Sequence, residues 1–208
     1  MTDTAPAPSR RRENTRTRLM DAAAQMFAEE GIDASSVEAI CERAGFTRGA
    51  FYSNFASKEE LFLALCERSG ETTLSAVRER IESLEVRGLD ADMEVRNLVQ
   101  EVLEVAGHDR LDVLLGAEIR MQALRNADFA EAYRALDRGL SDNVSHLIRD
   151  VAHARGLALR VPLDEATDLL LSTWVSVSEH ALITRSDPDG ARRDLAHRLS
   201  HIVALILE

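Results

Sequence analysis

The sequence predicts an all-α protein, and three observations carry that prediction. The first is proline: the four in 208 residues are Pro6, Pro8, Pro162 and Pro188, so the chain from Ser9 to Val161 is proline-free and keeps every helical N–H. The second is the scarcity of turn and strand formers, with 10 glycines and 4% aromatics. An all-β sandwich needs turn residues every ~8–12 positions and strands rich in aromatic and β-branched residues. The third is apolar spacing at i, i+3, i+4 and i+7, which recurs in segment after segment. With 45% apolar and 29% charged residues, the composition is that of a folded globular chain rather than a disordered one. A chain of this length buries about 70% of its unfolded surface, so it needs no disulfide or structural metal.

The elements follow in order. Residues 1–13, rich in Pro, Ala, Ser and Arg, read as a flexible arm. Leu19, Ala22, Ala23, Met26 and Phe27 then form one apolar stripe, and Gly31 is placed to end that helix in a left-handed cap. Ser35 and Glu38 have capping-box spacing, and Val37, Ile40, Cys41 and Ala44 repeat the stripe for two turns before Gly45 breaks it. Thr47 is the N-cap of the segment TRGAFYSNF, from which Ala50, Phe51 and Phe55 pack inward. Ser57 and Glu60 make a second capping box, opening a long helix to about Leu84.

Five further helices are expected at about 90–106, 111–125, 128–155, 163–185 and 188–207. Pro162 and Pro188 fall at helix starts, where a missing N–H costs nothing, and Asp187 is the N-cap of the last helix. No internal repeat is visible. The expected architecture is a three-helix head at 14–57 followed by a bundle of about six helices at 58–208.

Charge separates these two regions. The net charge is −11, yet residues 1–58 carry eight cations and eight anions, while residues 59–208 carry 17 and 28. The head therefore tolerates an anionic partner that the bundle repels. Its last two helices, joined by a short glycine-bearing turn, follow helix-turn-helix grammar, which ordinary α-hairpins share.

Other chemistries lack their signatures. There is no CxxC, GxSxG, GxGxxG or GxxxxGK[ST], so no catalytic residue and no cofactor is expected. His197 and His201 have the i, i+4 spacing that can grip zinc, but no HExxH accompanies them and no metal site is expected. Cys41 lies on an apolar stripe, and Cys66 reads as a small packed side chain rather than a reactive thiol. No segment has the ~18 apolar residues of a membrane span, and the N-terminus lacks the apolar core of a secretory signal, so a cytoplasmic protein with no membrane partner is expected.

From Leu19 to Leu65 runs LMDAAAQMFAEEGIDASSVEAICERAGFTRGAFYSNFASKEELFLAL. The AAxxMFxxxG helix, the SSVEAICERAG helix, the TRGAFYxxFxSKEEL block and their spacings resemble the DNA-binding head of the TetR/AcrR family of bacterial regulators. The remaining chain is similar to that family in plan only. The resemblance implies a ligand-responsive transcriptional regulator, a repressor in the first instance, that binds a palindromic double-stranded DNA operator as a homodimer.

Thr47, Arg48 and Gly49 stand at the start of the recognition helix, whose N-terminal residues meet base edges. Arg48 has the fork that fits guanine O6 and N7, and Gly49 lets backbone approach DNA. Asn54 serves adenine or phosphate if it faces out, and is otherwise a solvated polar residue. Tyr52, Lys58, Ser35 and Ser36 resemble family positions that hold phosphate. Lys58, the sole lysine, sits in a first helical turn where the dipole disfavours a cation; a phosphate gives it a reason, and otherwise it is an exposed charge paired with Glu59 or Glu60. Arg10, Arg11 and Arg12 reach a minor groove or form a free tail.

The resemblance also implies a small-molecule effector among the middle helices, with Met93, Met121, Phe129, Tyr133, His146 and Trp174 as candidate lining residues, each of which also suits plain core packing. Stripes along the last two helices, among them Leu171, Trp174, Val175, Leu195, Leu199, Ile202, Val203 and Ile206, suit either intrachain core or a dimer face, and the resemblance favours the dimer.

Overall fold

The computed structural model describes residues 8–86, 95–106, 110–185 and 187–207. The helices are α1 (Pro8–Glu30), α2 (Val37–Ala44), α3 (Arg48–Tyr52), α4 (Lys58–Val86), α5 (Val95–Ala106), α6 (Arg110–Arg125), α7 (Ala127–Ala154), α8 (Leu163–Ile183) and α9 (Pro188–Ile206). Among the described residues the one β-type pairing is an isolated antiparallel bridge between Leu159 and Leu207, where the Arg160 N–H donates to the Ile206 carbonyl at 2.8 Å. The all-α prediction holds. Met93 and the expected start of the fifth helix at residue 90 lie outside the described residues.

Helix α1 corrects the expected arm. It begins at Pro8 rather than after residue 13, so Arg10, Arg11 and Arg12 are helical. Proline suits a first helical turn, and Arg12, Arg16 and Arg18 beyond it have partners elsewhere in the head. Arg12 Nη2 donates to the Ser53 carbonyl at 3.3 Å, Arg16 Nη1 to that of Asn54 at 3.0 Å, and Arg18 Nη2 to that of Ala44 at 2.9 Å. Helical order here is fixed by contacts some 26 to 41 residues away, which composition does not register.

The division at residue 57 also shifts. One compact unit comprises Met1–Arg68 and Leu114–Tyr133, the other Ser69–Val113 and Arg134–Glu208. Thus α4, α6 and α7 each contribute to both. Periodicity shows that a helix has an apolar face but not which neighbour covers it.

The first unit is aromatic at its centre. Phe27, Phe51, Phe55 and Phe62 are fully buried. Phe27 meets Phe62 edge-on at 5.1 Å, and Phe62 stacks on Phe129 at 6.3 Å. The Arg16 guanidinium lies over the Phe55 ring at 4.2 Å. The second unit is aliphatic. Leu103, Val177, Leu195, Ala196 and Leu199 form one cluster, with Val99, Leu170 and Trp174 against it. Val77, Ile81, Leu84 and Leu98 form another, flanked by Val102, Leu147 and Val151. Leu195, Leu199 and Ile206 are therefore buried within the chain, so this part of the expected dimer stripe is intrachain core.

Candidate nucleic-acid interface

The helix-turn-helix is built by caps. Ser36 is the N-cap of α2, its hydroxyl accepting from the Ala39 N–H at 3.1 Å. Gly45 ends α2 at φ +72°, where the Gly45 N–H donates to Glu42 and the Phe46 N–H to Cys41. A residue with a Cβ is strained in that conformation. Two residues later Thr47 caps α3, accepting from the Ala50 N–H at 3.3 Å. From α3, Phe51 points inward and is fully buried, as is Phe55 just beyond the helix. Burial of these two rings fixes the rotation of the short helix and leaves Thr47, Arg48, Gly49 and Tyr52 on its exposed side.

Arg48 is ordered on that surface. Its Nη1 lies 2.8 Å from Glu38 Oε1, and its guanidinium sits 5.9 Å from the centre of the half-exposed Tyr52 ring. Its hydrogen bond with Tyr52, and secondly the charge of Glu38, push the guanidinium pKa up and hold it more firmly charged. Gly49 has open space: an added Cβ would meet only Thr47 Oγ1, at 3.8 Å. Internal packing therefore gives no reason for glycine there. Cys41, behind this face, is buried, and burial followed by the charge of Glu38 raises its thiol pKa, which keeps it protonated and unreactive. Cys66 is half-buried on α4.

Three predicted contact residues are turned to internal tasks. Ser35 is buried and donates its hydroxyl to the Gly31 carbonyl at 2.9 Å. The cap is its neighbour Ser36, and two adjacent serines made the capping-box spacing ambiguous. Asn54 is also buried, its amide donating to the Ala50 carbonyl at 2.8 Å and to Ser53 Oγ at 3.2 Å. It ties off the end of α3 rather than facing out.

Lys58 is the third. Its ammonium donates to the carbonyls of Ile32 and, at 3.0 Å, Ser35, with Asp33 at 3.5 Å. Its reason for standing in a first helical turn is the α1–α2 loop, whose carbonyls it gathers. The other end of this helix start behaves as predicted: the Glu60 N–H donates to Ser57 Oγ at 3.1 Å, and the Glu60 carboxylate accepts from the Ala56 N–H at 2.6 Å.

One residue of this assembly carried no local sequence signal. Glu118 of α6 accepts from the Ile32 N–H at 2.9 Å, so the loop between α1 and α2 is held by Glu118 at an N–H and by Lys58 at carbonyls. These partners are 86 and 26 residues from Ile32 in sequence, beyond the reach of any capping or periodicity rule.

The predicted effector residues are scattered. Phe129 is buried on Phe62 in the core of the first unit, and Met121 and Tyr133 belong to the same unit, Met121 being exposed. His146 is exposed on α7 in the second unit. Trp174 packs on the Leu103–Val177–Leu195 cluster. A cavity of about 350 Å³ does exist in the second unit, but Gln100, Leu103 and Glu104 of α5 and residues of α9 line it, and none of Met121, Phe129, Tyr133, His146 and Trp174 does. Among the described residues no three His, Cys, Asp or Glu side chains are grouped to hold a metal, and no helix is long and apolar enough to cross a membrane.

Among known proteins, the family match falls on the same head and the likeness to individual relatives extends beyond it. Residues 19–65 match the family described as "Bacterial regulatory proteins, tetR family". The chain is 31% identical over 136 residues to the HTH-type transcriptional regulator UidR of Escherichia coli K12, a match covering 65% of each chain and so just under two thirds of that relative. It is 24% identical over 186 residues to the HTH-type transcriptional repressor AcnR of Corynebacterium diphtheriae, covering 86% of this chain and 87% of that one. Among solved structures, Salmonella enterica GusR superposes with a TM-score of 0.69 at 26% identity, over 93% of this chain and 95% of that one.

Proposed function

We propose that the chain is a regulator of the TetR type, a reading supported by the family match at residues 19–65 and the likeness to UidR and GusR, and that it acts as a homodimeric transcriptional repressor, released from a palindromic DNA operator by a small-molecule effector. The observation that carries this reading is the division of α3 into two sides. Phe51 faces in, with Phe55 behind it, while Thr47, Arg48, Gly49 and Tyr52 face out, Thr47 capping the helix and Tyr52 resting edge-on against the Phe51 ring. A helix arranged this way presents its first residues to base edges in a major groove. Arg48 reads guanine, exchanging its ion pair with the Glu38 carboxylate for the acceptors of the base. Tyr52 and the N-terminus of α2 at Ser36 contact phosphate. Lys58, Ser35 and Asn54 support this surface from within.

Dimerisation draws on α8 and α9. Leu169 (45% exposed), Ile183 (78%) and Leu205 (71%) stand out as large apolar side chains in water, and a second copy of the chain would cover them. A two-fold pair of heads then reads half-sites about 34–36 Å apart. The effector acts by binding more tightly to the arrangement that does not fit the operator.

Selection from a random duplex pool at near-physiological salt tests the reading. An enriched palindrome is the expected result, and no enrichment by folded protein would overturn it. With the enriched duplex in hand, Arg48→Ala should lose discrimination at one base-pair position in each half-site by roughly tenfold or more. Equal weakening of every sequence would remove Arg48 from base reading.

A further inference from the structure

The groove between α5 and α9 has the chemistry of a ligand site. Its floor is Leu103, Ala196 and Ser200, one wall carries Gln100 and Glu104, and the other carries Asp189, Arg192, Arg193, His197 and His201. At about 350 Å³ it lies at the small end of ligand cavities, which run from ~300 to 1,000 Å³.

The groove is less acidic than the rest of the bundle. Residues 59–208 carry 17 cations against 28 anions, whereas the groove lining sets Arg192 and Arg193 against Asp189 and Glu104 and adds the imidazoles of His197 and His201. The acids nearby are already committed. Asp189 lies 3.7 Å from Arg192, Asp194 accepts from Arg198 Nε at 3.1 and 3.2 Å, and Glu104 lies 3.3 Å from Arg80, which also pairs with Glu101. Among the described residues no carboxylate lies within ion-pair distance of Arg193, His197 or His201.

These three follow one another at i, i+4 and i+8 on one helix face, the two imidazoles 4.3 Å apart between ring centres. At ~1.5 Å per residue the row extends about 12 Å, more than a single carboxylate spans. Ser200, buried beneath, has a hydroxyl with no hydrogen-bond partner among the described residues.

We propose that this groove binds a short-chain dicarboxylate, one carboxylate held by Arg193 and His197 and the other at His201, with Gln100 across the groove. Charge-assisted hydrogen bonds of this kind are about twice as strong as neutral ones, and the apolar floor suits the methylene chain between the two acid groups. The inference goes beyond the proposed repression: it concerns the free protein and stands whether or not the head binds DNA.

The test is a titration of the full-length chain, without DNA, with glutarate and with its neutral analogue glutaramide at matched ionic strength, read by the histidine ring resonances in NMR. Glutarate should shift the His197 and His201 signals saturably and leave those of His146 and His180 in place, and glutaramide should shift none. Arg193→Gln should weaken binding about tenfold, the loss of one charge-assisted contact, and His197→Gln should act likewise. Both replacements are on exposed positions, and an unchanged thermal melt establishes that they fold. Absence of a saturable shift, an equal response to glutaramide, or undiminished binding by folded Arg193→Gln would overturn the proposal.

Discussion

The two compact units solve the same problem, closing a set of helices on one another, by different means. In the first, large rigid rings meet in specific geometries, and loop carbonyls and N–H groups are gripped by charged side chains from distant helices. In the second, the clusters are aliphatic, with Trp174 packed against one of them. The contrast fits a head that must hold one five-residue helix, α3, at a fixed rotation. A helix that short has almost no stability of its own, because nucleation costs more than one turn of hydrogen bonds returns. Its orientation comes wholly from what it packs against.

The largest break in this contrast should come from Phe51. Phe51→Ala removes a fully buried ring from α3, which typically costs about 3–5 kcal/mol. Urea denaturation should show that loss, and operator binding should disappear even where the chain is still folded. Leu195→Ala in the second unit, where Leu195 is fully buried, should cost about 2–5 kcal/mol while leaving base discrimination by the head intact. If Leu195→Ala altered discrimination as strongly as Phe51→Ala, the head would not own the geometry of its reading helix.

A sharper comparison concerns Lys58, whose two readings predict different observables. As the clamp of the α1–α2 loop, Lys58→Met should leave buried carbonyls short of a donor and destabilise the chain by about 1–3 kcal/mol. The salt dependence of DNA binding should then be unchanged. As a phosphate contact it would instead leave stability alone and flatten the slope of log K against log salt by about one unit. A melt and a salt titration of the one variant separate them, and a flattened slope with an unaltered melt would make Lys58 a phosphate contact rather than the loop clamp.

How much of this was legible beforehand follows from the range of each interaction. The Gly31 and Gly45 caps, the Thr47 and Asp187 N-caps and the Ser57–Glu60 box are all local, within a few residues, and the sequence displays them. So does the inward set of Phe51 and Phe55, since period and ring size mark them. Asn126, which caps α7 by accepting from the Asp128 and Phe129 N–H groups, carries an equally local signal. The roles of Arg12, Lys58, Asn54 and Glu118 could not be read that way. Each depends on a partner that only the tertiary fold brings close, and a polar residue waiting for DNA looks the same in sequence as one committed to a carbonyl.

Gly45 tests whether the turn itself is under strain control. Its φ of +72° lies in the left-handed region, and a Cβ added there would stand 3.4 Å from Arg18 Nη2, the end of a flexible side chain. The cost of Gly45→Ala is therefore conformational rather than steric. It should be about 1 kcal/mol, read as a small fall in the denaturation midpoint with specificity retained. A cost of several kcal/mol would mean that Arg18, which also donates to the Ala44 carbonyl, cannot move aside.

The smallest expected effect lies in the second unit and reports on assembly. The Asp194–Arg198 pair spans i, i+4 on α9, with side chains 47% and 56% exposed in the single chain. Exposed helical pairs of this kind contribute about 0.3–0.5 kcal/mol, further reduced by salt. Asp194→Asn should therefore be nearly silent if that face of α9 meets water. In a dimer that covers the same face, removing the carboxylate leaves Arg198 charged in a drier setting, and the cost rises. Measuring the variant's melt across protein concentrations decides between these. A small, concentration-independent change keeps this face of α9 in solvent, whereas a larger change that grows as the protein associates places it in the interface beside Leu205.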